Sequence, residues 1–305
     1  MEKKPLVVVN GLVRKDAIAY LKEHVDVRQW TEKTVMPRET LKEWLVDADG
    51  LWCVRPLDVD GDLVKNAPNL KVIAQAAVGY DNVKIDELTA AGIPYGNTPG
   101  VLNETVAELA FTLIATASRR ILENANFVKE GRWAQRPSNI KGFDLSRRTL
   151  GIIGMGAIGV SISRRARAFG MTVVYHNRNQ RIDDKIHKTT YMELDDLLAT
   201  SDVVCVMAPL TDETYHMCDE AFFKKMKNTA LFVNVGRGPI VDTDALISAL
   251  KTGEIDYAAL DVTDPEPLPA DHPLLDVENC LIVPHIGSYT CLLYTSPSPR
   301  DMRRS

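Results

Sequence analysis

A chain of 305 residues with 45% hydrophobic composition is long enough to bury a sizeable core, and its length favours two domains. The formal net charge of -5 argues against nucleic acid or an anionic membrane as the main partner, because both select basic surfaces. The five cysteines form no CxxC pair and show no metal-ligand spacing, so we expect no metal site, and reduced thiols indicate a cytoplasmic protein.

Short apolar runs alternate with amphipathic stretches from the N-terminus onward, which is typical of βα units on a parallel sheet. The first run, LVVV, is too short for a signal segment or a membrane span and predicts a buried strand. The first hundred residues predict helices over 15–23 and 38–46, and strands over 6–9, 25–30, 50–54, 70–74 and 93–95. The stretch 103–128, which opens with Asn-Glu-Thr, predicts one long helix.

A second βα series follows, with strands predicted over 150–153, 172–175, 203–207, 230–233, 258–260 and 280–283. The predicted fold class is therefore α/β with two doubly wound parallel-sheet lobes. The composition changes after Tyr289, where TCLLYTSPSPRDMRRS stands in place of an expected closing helix. This tail resembles translated adapter sequence, so we expect that the native C-terminus is missing.

A glycine-rich run, GIIGMGAIG, places Gly154, Gly156 and Gly159 between a predicted strand and a predicted helix. Glycines there permit a tight turn, let the backbone approach a pyrophosphate and allow close packing of helix and strand. Because the strand, the helix and the next strand are in register with the motif, the run predicts a dinucleotide site.

The end of the next strand bears on which dinucleotide is used. An NAD site usually has Asp or Glu at that position, whereas this chain has His176, Asn177 and Arg178. An arginine suits the 2′-phosphate of NADP, because its planar cation matches phosphate geometry. The alternative is a surface loop with an incidental charge.

Three later segments, NVGRGPIVD, ALDVTDPEPL and VPHIGS, each begin where a predicted strand ends, the usual place for ligands in doubly wound sheets. Arg237 suits a substrate carboxylate because it is permanently charged and binds bidentately. His285 suits a proton donor to a carbonyl oxygen, and Glu266 suits a partner that orients the imidazole and favours its protonated form. Taken singly, each also fits a structural role in a turn, a loop or the core.

The motifs GxGxxG, NVGRG, ALDV with EPL, HPLL and PHIGS resemble those of the D-isomer-specific 2-hydroxyacid dehydrogenase family, in the same order and at similar spacing. The resemblance is strongest to the glyoxylate/hydroxypyruvate reductase branch and covers about residues 5–288. The segments that carry this likeness are QAAVGYDNVKID, NTPGVLNETVAELA and DVTDPEPLPADHPLL.

The resemblance implies a flavodoxin-like substrate domain over residues 1–100 and a Rossmann dinucleotide-binding domain over residues 101–286, with the active site in the cleft between them. Residues 287–305 would be a truncated, non-native return to the substrate domain. The implied activity is reduction of small 2-oxo acids, glyoxylate to glycolate and hydroxypyruvate to D-glycerate. NADP(H) would be preferred with NAD(H) as the alternative, in a homodimer.

The resemblance also implies site residues. Arg237, Glu266 and His285 match the catalytic trio of the family. The residues matched to substrate contacts are Val78, Gly79, Arg237, His285 and Ser288. The residues matched to the cofactor site, together with those expected from the glycine-rich run and its neighbours, are Thr105, Gly154, Gly156, Ala157, Ile158, Gly159, Asn177, Arg178, Pro209, Thr214, Val235, Gly236, Arg237, Asp261, His285 and Gly287.

Two other functions are compatible with these motifs. Nucleotide-sensing corepressors share the fold and the trio, but they carry extra tails and an acidic ribose-binding residue, and neither is visible here. Sister dehydrogenases that act on phosphoglycerate, formate or lactate form the second alternative. A phosphorylated substrate would need added basic residues, for which Arg55 is the only obvious candidate.

Overall fold

The structure is a computed structural model that describes residues 3–54, 57–134 and 140–290. The chain divides into two compact units, Met1–Val101 and Leu102–Ser305. Within the described residues, no helix is both long enough and apolar enough to cross a bilayer.

The N-terminal unit contains a five-stranded, all-parallel sheet in the order β2-β1-β3-β4-β5. Its strands are β1 (Leu6–Val9), β2 (Asp26–Gln29), β3 (Gly50–Cys53), β4 (Val72–Gln75) and β5 (Tyr95–Gly96). Its helices are α1 (Lys15–His24), α2 (Arg38–Leu45), α3 (Gly61–Lys65) and α4 (Ile85–Ala90). Leu41 and Leu45 of α2 pack into one core with Ile73 of β4 and Leu88 of α4, and all four are fully or almost fully buried.

The C-terminal unit contains a seven-stranded, all-parallel sheet in the order β12-β11-β10-β9-β6-β7-β8. Its strands are β6 (Thr149–Ile153), β7 (Thr172–His176), β8 (Thr190–Tyr191), β9 (Val203–Val206), β10 (Leu231–Asn234), β11 (Tyr257–Leu260) and β12 (Cys280–Ile282). Its helices are α5 (Asn103–Ser118), α6 (Ile121–Lys129), α7 (Ala157–Ala168), α8 (Asp184–His187), α9 (Leu194–Thr200), α10 (Glu220–Lys225) and α11 (Thr243–Thr252).

Two hydrophobic clusters cover the two faces of this second sheet. One includes Phe222 and Phe223 of α10 together with Leu246 of α11. The other includes Phe111 and Ile114 of α5. A sheet with helices on both faces must be apolar on both, which explains why all residues of β9, β10 and β11 are buried.

The predicted fold class is confirmed. Every predicted strand is present, and its bounds differ from the prediction by two residues at most. No pattern predicts β8, because a two-residue edge strand is too short to show one.

The prediction of one helix over 103–128 is wrong. The helix ends at Ser118, and a second helix begins at Ile121 after Arg120, whose φ of 50° is left-handed. The backbone N–H of Phe143 donates to the Ser118 carbonyl at 2.7 Å, and the Arg120 guanidinium lies 4.4 Å from the centre of the Tyr257 ring. These contacts come from distant parts of the chain, and they compensate for the broken helical turn.

Two expectations fall outside the described residues. The unusual tail occupies 291–305, and Arg55 lies in the undescribed pair 55–56. The proposed domain boundaries at 100 and 286 remain predictions.

Candidate active site

The turn between β6 and α7 is tightly enclosed at Gly154. Its φ is 98°, and a Cβ at this position would lie 2.5 Å from the Ala208 nitrogen. The Gly154 N–H donates to the His176 carbonyl at 3.0 Å. Glycine is required here because a side chain would meet backbone, and backbone cannot rotate away.

The other two glycines of the motif differ in their surroundings. Gly159 is buried, and its Cβ would lie 3.0 Å from the Gly154 carbonyl, so it permits close packing of α7 against the turn. Gly156 is exposed, and a Cβ there would meet nothing within 4 Å. Ala157 and Ile158 form the first turn of α7, whose N–H groups and positive dipole end suit a pyrophosphate. The turn therefore fits the dinucleotide that the motif implies.

Asn177 and Arg181 hold the loop after β7 against the glycine-rich turn. The Met155 N–H donates to Asn177 Oδ1 at 2.6 Å, and Arg181 Nη1 donates to the Met155 carbonyl at 2.9 Å. Arg181 also binds Asp183 through two bonds of 2.8 and 2.7 Å, which lowers the pKa of Asp183 to about 2. Sequence reasoning missed Arg181, because nothing in the local pattern shows that it turns back toward Met155.

Arg178 projects into solvent from the same loop, with 81% of its side chain exposed. Its Nη1 lies 3.4 Å from Oε2 of Glu213, which belongs to the loop after β9. Sequence reasoning also missed Glu213, since 35 residues separate the partners.

The loop after β9 is closed by Thr214. Its hydroxyl accepts from the Thr211 N–H at 2.8 Å and donates to the Pro209 carbonyl at 2.7 Å. Pro209 and Thr214, both expected near the cofactor, therefore form one tight turn.

The buried side chain of Asn234 shapes the NVGRG turn after β10. It accepts from the Gly236 N–H at 3.0 Å and donates to the Arg237 carbonyl at 2.9 Å. Arg237 Nη1 donates to the Gly236 carbonyl at 2.8 Å. A Cβ at Gly238 would lie only 1.8 Å from the Thr263 carbonyl, so this turn packs directly against the segment after β11. Asn234 therefore positions Arg237, a role that an Asn at the end of an apolar strand could have suggested.

Asp261 connects the end of β11 to the loop after β12. Its carboxylate accepts from the N–H groups of Ile286 at 2.7 Å and Gly287 at 3.0 Å, and its carbonyl accepts from His285 N–H at 2.8 Å. Burial raises the pKa of Asp261 above its ordinary value of 3.8, although the two N–H groups act to lower it. These bonds hold His285 at a φ of 51°, which is uncommon for a residue other than glycine.

His285 and Glu266 are in direct contact. His285 Nδ1 lies 2.5 Å from Glu266 Oε1, and about half of each side chain is exposed (46% and 40%). With Nδ1–H donating to the carboxylate, Nε2 is the ring nitrogen left for a ligand, and a proton on it can be given to that ligand.

The structure brings most of the predicted site residues to one edge of the second sheet. Arg237 follows β10, Asp261 follows β11, and His285 follows β12, and these three strands are neighbours. The carboxyl ends of parallel strands face the same edge, so a cation, an acid and a carboxylate are concentrated there.

The other residues predicted to contact substrate or cofactor lie in different parts of the chain. Val235 and Gly287 are buried beside this edge, and Thr105 is buried in α5. The Ser288 hydroxyl makes no hydrogen bond among the described residues. Val78 and Gly79 belong to the N-terminal unit, where their carbonyls accept from Asn97 and Gln75 at 2.9 Å each.

Among the described residues, no group of three or more His, Cys, Asp or Glu side chains is arranged to hold a metal ion. What the edge of the second sheet offers is an anion-binding cation, a His–Glu pair that can donate a proton, and a turn that fits a dinucleotide. These groups suit proton transfer beside a bound nucleotide.

Comparison with known proteins agrees with this chemistry. Residues 111–287 match the family described as D-isomer specific 2-hydroxyacid dehydrogenase, NAD binding domain. A glyoxylate reductase of Korarchaeum cryptofilum is 42% identical over 288 residues, which is 93% of this chain and 87% of that protein.

Solved structures give the same result. A glyoxylate reductase from Paecilomyes thermophila superposes with a TM-score of 0.88 at 31% identity, covering 97% of this chain and 92% of the other. An NADPH-dependent glyoxylate/hydroxypyruvate reductase from Sinorhizobium meliloti, in complex with NADP and malonate, gives 0.85 at 29% identity, covering 95% and 89%. The chain therefore belongs to the D-isomer-specific 2-hydroxyacid dehydrogenase family and is an NAD(P)-dependent oxidoreductase.

Proposed function

We propose that this protein reduces the small 2-oxo acids glyoxylate and hydroxypyruvate to glycolate and D-glycerate, with NADPH preferred over NADH. The observation that carries the proposal is the 2.5 Å contact between His285, in the loop after β12, and Glu266, in the segment after β11, at the edge of the sheet where Arg237 also lies. The names of the similar proteins support the substrates, since they include glyoxylate reductases and a glyoxylate/hydroxypyruvate reductase.

The cofactor residues in this proposal are those around the glycine-rich turn. Gly156 leaves open space at the N-terminus of α7 for the pyrophosphate, and the loops after β7 and β9 flank it. The nicotinamide, when bound, supplies the hydride that converts a carbonyl carbon into a hydroxyl-bearing carbon.

His285 is the proposed proton donor to the carbonyl oxygen of the substrate. Glu266 fixes the ring by accepting from Nδ1, which directs Nε2 to the substrate. The proton that His285 gives up comes from Nε2, the ring nitrogen opposite the one bonded to Glu266.

Arg237 is the proposed cation for the substrate carboxylate. The Asn234 side chain and the close packing of Gly238 fix the backbone on either side of it. In the N-terminal unit, the N–H groups of Val78 and Gly79 have no acceptor among the described residues, which leaves them available for a carboxylate. Ser288 is proposed as a further substrate contact.

The preference for NADPH rests on Arg178. No carboxylate follows β7 before Asp183, and that carboxylate is bound to Arg181. An adenine ribose with free hydroxyls therefore lacks its usual acidic partner, while a 2′-phosphate finds a charge-assisted one at Arg178.

We also propose a homodimer. The helix α6 exposes large apolar side chains at Ile121, Leu122 and Val128, and Leu275 is exposed as well. Exposed apolar side chains on one short helix favour burial against a partner chain. Light scattering of the purified protein measures its molar mass, which should be twice that of one chain.

A panel of 2-oxo acids with both reduced nicotinamides tests the activity. Oxidation of NADPH is followed at 340 nm with glyoxylate, hydroxypyruvate, pyruvate and 3-phosphohydroxypyruvate, and His285→Ala serves as the control. We expect the highest kcat/KM with glyoxylate or hydroxypyruvate and NADPH. Nucleotide binding without turnover of any acid would instead support a nucleotide-sensing protein, and a preference for the phosphorylated acid would support a phosphoglycerate dehydrogenase.

A further inference from the structure

Two loops flank the glycine-rich turn. Strands β7 and β9 pair with β6 on its two sides, so the loops that follow them lie on either side of the turn at the end of β6. Gly154 contacts both, because its N–H donates to the last carbonyl of β7 and its Cα faces Ala208 at the start of the loop after β9.

Both loops have fixed backbones. Asn177 is bonded to the Met155 N–H on one side, and Thr214 closes its turn through Thr211 and Pro209 on the other. The side chains of the adjacent residues, Arg178 and Glu213, are by contrast 81% and 71% exposed. Each residue therefore combines a fixed backbone with a solvent-exposed side chain.

The ion pair between Arg178 and Glu213 joins the two loops across the end of β6, with 3.4 Å between Nη1 and Oε2. In the proposed function, Arg178 is also the cation for the 2′-phosphate of NADPH. Glu213 therefore binds the same guanidinium that would bind the 2′-phosphate.

We propose that Glu213 is a specificity-determining residue that competes with the 2′-phosphate for Arg178 and so limits the preference for NADPH over NADH. The inference rests on the proposed function, since it assigns a role to Glu213 in the same cofactor site. NADH has no 2′-phosphate, so it binds without breaking the pair and is indifferent to Glu213.

The size of the effect follows from the exposure of the pair. Exposed ion pairs are weak because water screens them, and their usual strength corresponds to about 1.5- to fivefold in a binding constant. Glu213→Gln removes the competing charge but keeps the size of the side chain. NADPH should then bind about two- to fivefold more tightly, while NADH binding stays constant.

The experiment measures dissociation constants of NADPH and NADH for the purified full chain by quenching of intrinsic fluorescence. The variants are Glu213→Gln, Arg178→Ala, the double variant, and Asp212→Asn as the matched control. Asp212 is an exposed carboxylate in the same loop, and it makes no hydrogen bond or ion pair among the described residues, so its removal reports the effect of net charge alone.

We expect Glu213→Gln to strengthen NADPH binding about two- to fivefold with no change for NADH, and Asp212→Asn to change neither by more than about 1.3-fold. In the Arg178→Ala background, the gain from Glu213→Gln should disappear. The inference is overturned if Glu213→Gln leaves NADPH binding unchanged or weaker, if it affects NADH equally, or if Asp212→Asn does the same. The parent protein's own ratio of NADPH to NADH affinity tests the proposed cofactor preference separately, because the role of Glu213 is judged from the change in that ratio.

Discussion

Replacing Gly154 and Gly156 by alanine, one at a time, separates folding from cofactor binding within a single turn. At Gly154 the new Cβ would lie 2.5 Å from the Ala208 nitrogen and 2.7 Å from the Met207 carbonyl carbon, and φ is 98°. At Gly156 φ is -88° and the Cβ would meet nothing within 4 Å.

The cost at Gly154 has two parts. A side chain in a strained positive-φ conformation costs about 1 to 3 kcal/mol, and overpacking against backbone costs about 1 to 3 kcal/mol. Gly154→Ala should therefore lower the free energy of unfolding by about 2 to 6 kcal/mol, and the melting temperature by roughly 5 to 15 °C. Gly156→Ala should alter stability by less than about 0.5 kcal/mol.

Gly156→Ala, by contrast, should weaken cofactor binding without lowering stability. The methyl group of Gly156→Ala enters the space through which the pyrophosphate approaches the backbone, so NADPH should bind at least about tenfold more weakly in a protein that is as stable as its parent. Circular dichroism melts and fluorescence titration with NADPH measure the two effects. An unchanged melting temperature for Gly154→Ala, or unchanged NADPH affinity for Gly156→Ala, would refute this account of the turn.

Further predictions concern catalysis and acid stability. His285→Ala should lower kcat by about 10² to 10⁴ and Glu266→Gln by less, both measured at saturating NADPH; near-normal kcat in His285→Ala would exclude it as the acid. Arg237→Lys should lower kcat/KM for glyoxylate by at least about tenfold, because a point charge cannot bind a carboxylate bidentately, and an unaltered kcat/KM would remove Arg237 from the site. Burial would raise the pKa of Asp202, but the Thr149 N–H and two cationic side chains outweigh it and hold the pKa below 3.8. The stabilisation is present above pH 3.8, the ordinary pKa, and is lost below that pH, as the pH falls through the lowered pKa of the folded state. Asp202→Asn should therefore cost about 1 to 3 kcal/mol in urea unfolding at pH 7 and progressively less below pH 3.8. An equal cost at both pH values would contradict this.

The sequence predicts those candidate site residues that directly follow a strand. Short apolar runs predict parallel strands, and ligand-binding residues in doubly wound sheets follow those strands. The sequence therefore predicts that Arg237 and His285 follow strand ends, and the structure has them after β10 and β12. The contact between His285 and Glu266 also follows from strand order, because the segments that contain them come after the adjacent strands β12 and β11.

Contacts between distant segments were not predictable in this way. The break at Arg120 depends on Phe143 and Tyr257, while the local sequence favours a continuous helix. Asp261 accepts hydrogen bonds from the backbone N–H groups of Ile286 and Gly287, and Arg178 pairs with Glu213. The partners in these contacts are 25 or more positions apart in the sequence. No periodicity or motif encodes such pairs, since they arise only when the strands are placed in order.

The most direct test of the proposed function is the product formed from hydroxypyruvate. The purified chain is incubated with hydroxypyruvate and a stoichiometric amount of NADPH, and the glycerate is resolved by chiral chromatography. One D-glycerate should form for each NADPH oxidised, and with His285→Ala the product should form at least about 100-fold more slowly. Formation of L-glycerate, or no glycerate from protein that binds NADPH, would contradict it.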